Sequence, residues 1–203
     1  MSTTLILIII TCAVSITAFS NHSQWDKMSM QPYMVKRHNQ WYRFITAGFL
    51  HGDYGHLFFN MLTLYFFGKN TEFLLYALTG TKLGYVLFYL LGIIAGNIPA
   101  YFKHQNDSNY VAIGASGAVS AVLFSNILMA PWEKIYLYFA IGIPAVVYAI
   151  LFLIYSSYMS KKGMDNIGHD AHIWGAIFGF VAPIFLRPEL LQMFIQSVVS
   201  FGR

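Results

Sequence analysis

Long apolar runs alternate along this chain with short polar stretches, and six runs have the length and pattern of membrane helices. They cover about 4–20, 54–77, 81–102, 114–130, 133–158 and 169–187. The first carries no charge, and the second begins polar and turns apolar from Leu57 to Phe67. Crossing the hydrocarbon core takes roughly 20 residues, so the fourth run is short and predicts a helix that starts below the membrane surface. The predicted fold is an all-α membrane bundle of six transmembrane helices, a single domain over residues 1–203. Ala18-Phe19-Ser20 resembles a signal-peptide cleavage site, yet Met1-Ser2-Thr3-Thr4 has no basic residue. The first run is therefore expected to be a retained helix.

The stretch from Asn21 to about Asp53 breaks this rhythm. Trp25, Met28, Met30, Tyr33, Met34, Trp41, Tyr42 and Phe44 are scattered among its polar residues. Such an amphipathic connection is expected to lie in the membrane interface. No internal repeat is visible, which weakens an inverted-repeat transporter.

Composition agrees with the pattern. The 203 residues are 57% hydrophobic and 10% charged, against about 25% charged in a soluble domain. A net charge of +4 raises the question of nucleic acid, but the Lys and Arg residues are scattered singly or in pairs and form no basic stripe. No nucleic-acid partner is expected. The lone Cys12 excludes an internal disulfide and any multi-cysteine metal site. Lys and Arg, counted over the predicted loops, select no orientation.

Ionisable and nucleophilic groups inside a bilayer are costly and point to function. Ser116 opens the fourth run within Gly114-Ala115-Ser116-Gly117, and His172 enters the sixth within Ala171-His172-Ile173-Trp174-Gly175. A Ser and a His meeting across two helices form a nucleophile and its base. At a helix start the first N–H groups lack an intrahelical partner, so the Ser116 N–H is a candidate oxyanion donor. His172, Gly175 and Gly179 share one helix face. The glycines predict close approach to the small face of the fourth helix (Gly117, Ser120, Ala121), which brings His172 towards Ser116. His169 competes as the base but reads as a loop residue at the edge of the run. Asp170 points to another face, so the arrangement is a dyad. His56 and Asn60 share a face of the second helix; taken alone, such a pair more often stitches helices together. His51 lies outside that helix, where it braces the loop.

These stretches together resemble the rhomboid intramembrane serine proteases over roughly residues 41–187. The matching segments are His51-Gly-Asp-Tyr-Gly-His56-Leu-Phe-Phe-Asn60, Gly114-Ala-Ser116-Gly117 and Ala171-His172-Ile-Trp-Gly175-Ala-Ile-Phe-Gly179. The resemblance implies Ser116 as nucleophile and His172 as general base. It implies an oxyanion and substrate-binding site at His56, Asn60, Gly114 and the Ser116 N–H. His51, Arg43, Gly175 and Gly179 then give structural support; Trp41 and Arg43 match an aromatic–Arg element of the first loop, and Glu72 a structural carboxylate. One departure stands out: where the family has an aromatic residue four after the nucleophile, stacking on the catalytic His, this chain has Ser120. His172 is then less confined, or is steadied by another group such as an aromatic from the fifth helix.

The expected activity is hydrolysis of peptide bonds in or near transmembrane segments of other proteins, with no cofactor and no metal. Its partners are transmembrane protein substrates and the lipid bilayer, and its expected location is a bacterial cytoplasmic membrane. A catalytically inactive scaffold that binds transmembrane clients is the alternative, against which the intact Ser116 and His172 argue. A proton-coupled transporter using His56 and His172 predicts more membrane carboxylates than Glu72 alone.

Overall fold

The structure, a computed structural model, describes residues 1–137, 140–162 and 168–200. It is mostly helical. The main helices are α1 (Thr3–Phe19), α5 (Tyr54–Thr79), α6 (Leu83–His104), α7 (Ser116–Met129), α8 (Ala145–Lys162) and α9 (His169–Leu186). Three short helices, α2 (His22–Met28), α3 (Pro32–His38) and α4 (Arg43–Thr46), precede a 3-10 turn at Ala47–Phe49. α10 (Glu189–Val199) closes the described chain. Bulky apolar side chains stand outward, among them Ile9 and Ile16 of α1, Phe58, Phe66 and Phe73 of α5, and Phe185 of α9. Such a surface suits lipid rather than water. By length and apolar composition α6 and α9 are each able to cross a membrane.

α7 is the axle of the bundle. Every residue from Ser116 to Leu128 is buried, because small side chains let neighbouring backbones come close. On one side, a Cβ built on Gly92 of α6 would sit 3.0 Å from Ala118 Cα, and one on Gly96 3.1 Å from Gly117 Cα. On the other, a Cβ on Gly175 of α9 would collide with the Gly117 carbonyl, and one on Gly179 with the Ala121 carbonyl. The expected α7–α9 contact through the Gly175/Gly179 face is therefore present. In lipid, where apolar side chains gain little by leaving their surroundings, such backbone-close packing supplies much of the association. Near the far end of α7, the Asn126 amide donates to the Phe67 carbonyl at 3.0 Å and to Thr71 Oγ1 at 2.8 Å, tying α7 to α5.

α1 is docked by a carboxylate. Glu72 accepts from the Thr3 N–H at 2.8 Å, the Thr4 N–H at 3.1 Å and Thr4 Oγ1 at 2.9 Å. These are first-turn donors that a helix cannot satisfy itself, so the structural position expected of Glu72 is that of a cap supplied by α5.

Two expectations are corrected. The predicted fifth helix, about 133–158, begins instead as a hairpin: β1 (Lys134–Leu137) pairs antiparallel with β2 (Ile141–Pro144), and α8 starts only at Ala145. Tyr138 and Phe139 lie outside the described residues. Pro144 closes β2 directly before α8, where its missing N–H could not join a continuing helix. The bundle is thus not purely α. The long first connection, expected to lie in the membrane interface, is a folded unit with Met30, Val35, Phe44 and Ala47 as its own small core against Ile94 and Tyr101 of α6. Finally, α10 has no counterpart among the six expected helices. Pro188 at its cap and Glu189 in its first turn are the signal for its start. It is anchored by the Trp132 indole N–H donating to the Ser197 carbonyl at 2.9 Å.

Replacing Gly175 or Gly179 with Leu should destabilise the protein by more than about 3 kcal/mol, beyond ordinary overpacking, because the obstacle is backbone. Ile177→Leu, at an exposed position, should cost under about 1.5 kcal/mol. Thermal unfolding in detergent micelles measures both, and wild-type midpoints for the glycine variants would refute the packing account.

Candidate active site

Ser116 is the first residue of α7, and its preceding loop is held in place by the folded first connection. Met30 and Ala112 exchange two backbone hydrogen bonds of 2.9 Å, and the Gly114 N–H donates to the Ala47 carbonyl at 3.0 Å. Gly114 has φ +127°, a conformation that side chains disfavour. A Cβ there would sit 3.1 Å from His56 Cε1 and 3.7 Å from Ser116 Oγ. Glycine thus lets the loop turn and lets the His56 ring lie next to Ser116. Because its N–H is already engaged, Gly114 contributes space and shape rather than a donor. α7 has no side-chain cap, its cap residue being Ala115, which leaves its first-turn N–H groups for a ligand.

Arg43 explains why the first connection is rigid. Its buried guanidinium donates from Nη1 to the carbonyls of Asp26 (2.6 Å) and Ser29 (2.7 Å), and from Nε to Gln40 Oε1 (2.7 Å). The support expected of Arg43 is thus the closing of the turn between α2 and α3, one residue before Met30. Trp41 is largely exposed and packs on Phe44 and Tyr101, with ring centroids 6.0 and 5.6 Å away.

The second helix brings its polar pair to the same place. Asp53 caps α5 by accepting from the His56 N–H at 2.7 Å, and Asn60 Nδ2 donates to the His56 carbonyl at 2.9 Å. That uses one of the two amide hydrogens of Asn60. His51, buried below, meets the His56 ring edge-on at 5.0 Å. Ser15 Oγ donates to the Phe49 carbonyl at 2.7 Å and lies 2.9 Å from His51 Nδ1, so Nδ1 carries the proton that Ser15 accepts. His51 therefore braces the loop, as expected, by locking it to α1.

A cavity of about 1210 Å³ joins these groups: Ser116, His172, His56 and Asn60 all line it, with Ser120, Tyr148 and Phe152 on its wall. His172 stands against the Phe152 ring of α8, centroids 5.6 Å apart and planes tilted by 31°. Sequence reasoning pointed to such an aromatic without its position. His169 is not a loop residue: it begins α9, is buried, and meets Tyr155 edge-on at 5.7 Å. It lines a second, smaller cavity of about 250 Å³ that also reaches Ser116. Asp170 is bonded to Ser160 and lies 3.6 Å from Lys103 Nζ. Among the described residues no group of His, Cys, Asp and Glu could hold a metal ion.

A membrane-suited helical bundle with a serine and a histidine on one cavity defines the class. Comparison with known proteins supplies the family. The Rhomboid domain model matches residues 38–189. The chain is 33% identical over 150 residues to RHOMBOID-like protein 12, mitochondrial, of Arabidopsis thaliana, covering 68% of this chain and 44% of that protein. It is 30% identical to Rhomboid-like protein 11, chloroplastic, of the same plant, over 73% of this chain and 54% of the relative. Putative rhomboid protease YdcA of Bacillus subtilis (strain 168) is 29% identical, over 70% of this chain and 65% of that protein. The chain belongs to the rhomboid family, and it spans about half the length of the two plant relatives.

Burial pushes the His51 imidazole from its ordinary 6.5 down to about 3; the neighbouring His56 adds to this and Asp53 opposes it. Below pH 6.5 the unfolded chain binds a proton that the folded one refuses, so stability should fall as pH drops from 6.5 towards 3. The slope from this group is up to about 1.4 kcal/mol per unit. His51→Gln should flatten that limb in urea unfolding followed across pH, and an unchanged limb would discount His51.

Proposed function

We propose that this chain is an intramembrane serine endopeptidase cutting in or near transmembrane segments of other membrane proteins. The observation that carries the reading is the shared cavity: Ser116, His172, His56 and Asn60 line one space whose walls belong to a lipid-facing bundle. α1, α5, α6, α7, α8 and α9 are the six spans. α7, with 14 residues, is only about 21 Å long, so its start lies below the membrane surface and water reaches Ser116 through the cavity.

In this reading Ser116 Oγ attacks the scissile carbonyl while His172 takes its proton. The oxyanion accepts hydrogen bonds from the His56 ring N–H, the second Asn60 amide hydrogen and the Ser116 N–H. His172 returns the proton to the departing amine. Water, activated by the same imidazole, then hydrolyses the acyl-enzyme and restores Ser116. No cofactor is called for, since the dyad supplies nucleophile and base. The relatives are named for mitochondria and chloroplasts or come from a bacterium; they do not support the expected bacterial cytoplasmic membrane over an organelle membrane.

Purified protein incubated with a single-span model substrate in detergent tests the reading. Ser116→Ala and His172→Ala should each abolish cleavage, and the double variant should be no worse than either, as for residues acting as one unit. Turnover by Ser116→Ala comparable to wild type would falsify it.

His56→Ala and Asn60→Ala should lower kcat by on the order of 100-fold each while leaving KM nearly unchanged, since oxyanion donors act in the transition state. A rise in KM with kcat intact would assign the pair to substrate docking instead.

A further inference from the structure

We propose that Phe152 is a positioning residue for the His172 imidazole, so that α8 controls the alignment of the Ser116–His172 pair. The proposal rests on the serine-protease reading above.

Three observations carry it. First, α7 offers His172 no ring of its own: Ser120, one turn beyond Ser116, is small and lines the same cavity. Second, besides the edge-on ring of His169 at 5.5 Å, His172 meets a ring from α8, which is itself packed against two others. Tyr148 stacks on Phe152 at 5.9 Å with planes 26° apart, and Phe124 of α7 packs on it at 5.7 Å. A wedged ring against one imidazole face limits rotation of the His172 side chain about its two torsions. Third, α8 and the first turn of α9 are joined at two further points. Tyr155 lies edge-on to His169, and Ser160 donates to Asp170, which also faces Lys103 of α6.

Tyr148 and Phe152 form part of the cavity wall facing Ser116. Phe152 thus borders the substrate space and backs the base with one side chain, without touching the reacting atoms. An aromatic pair contributes a factor of roughly 2 to 10, and a misplacement of about 1 Å can cost about 100-fold in rate. An effect on the order of tenfold is expected.

The test uses the full chain purified in detergent. The rate of fluorophosphonate labelling at Ser116 reports nucleophile activation without a substrate, and a fluorogenic single-span peptide gives kcat and KM. Phe152→Leu, which keeps apolar volume and hence the fold, should slow labelling and lower kcat by on the order of tenfold. KM should stay within about twofold, and Phe152→Tyr should restore wild-type rates, since the ring is what matters. Labelling by Phe152→Leu at the wild-type rate would overturn the proposal, as would a raised KM with kcat intact, which makes Phe152 a wall for substrate only. Labelling of wild type that is indifferent to His172→Ala overturns the protease reading itself, an outcome separable from the others because it appears before Phe152 is altered.

Discussion

Backbone-to-backbone approach around α7 is the constraint on which the rest of the molecule depends. Gly175 and Gly179 on one side leave no room for a β-carbon, and Gly92 and Gly96 on the other leave only a tight fit. This clamps the helix that begins with Ser116 between the helix that leads into its loop and the helix that carries His172. The same contacts that hold a bundle together in lipid also bring Ser116 and His172 to one cavity. Packing and chemistry are not separable at this point of the fold, because the glycines that permit the contact sit one and two turns from His172.

A second frame holds the nucleophile from the other direction. Arg43 closes the turn that ends at Met30, Met30 pairs with Ala112, and Ala47 takes the Gly114 N–H. The loop before Ser116 is thus built into the first connection rather than left to α7 alone. Gly114, with its positive φ, is where the two frames meet and where the His56 ring finds space. Glu72 and Ser15 extend the frame to α1, the first by capping its exposed N–H groups and the second by fixing the ring of His51. These buried polar contacts tie successive helices together, and a low-dielectric interior strengthens each of them.

Much of this was legible from the chain itself. Apolar periodicity located the helices around α1, α5, α6, α7 and α9, since a lipid-facing segment must satisfy its own backbone whatever its neighbours do. Gly175 and Gly179, at helical spacing from His172, announced a close-packing face, and Ser116 at the start of a short run announced a helix N-terminus open to a ligand. The order of the three motif stretches identified the family. The Pro144 signal was present as well, and it marks where the predicted fifth helix had to break into a hairpin.

What only the tertiary structure decided concerns groups whose meaning lies in distant partners. Nothing local to Arg43 says that its guanidinium closes a turn begun at Asp26, or that Gly114 spends its N–H on Ala47. His169 reads as a loop residue until it is seen to start α9 beneath Tyr155. Ser120 reads as a missing support for the base until α8 is seen to bring Phe152 against His172. Helix formation follows from near-neighbour periodicity and burial, which the sequence carries within a few turns. Which side chain confronts the His172 imidazole depends on how α8 docks on α7 and α9, and that is set by the whole bundle at once.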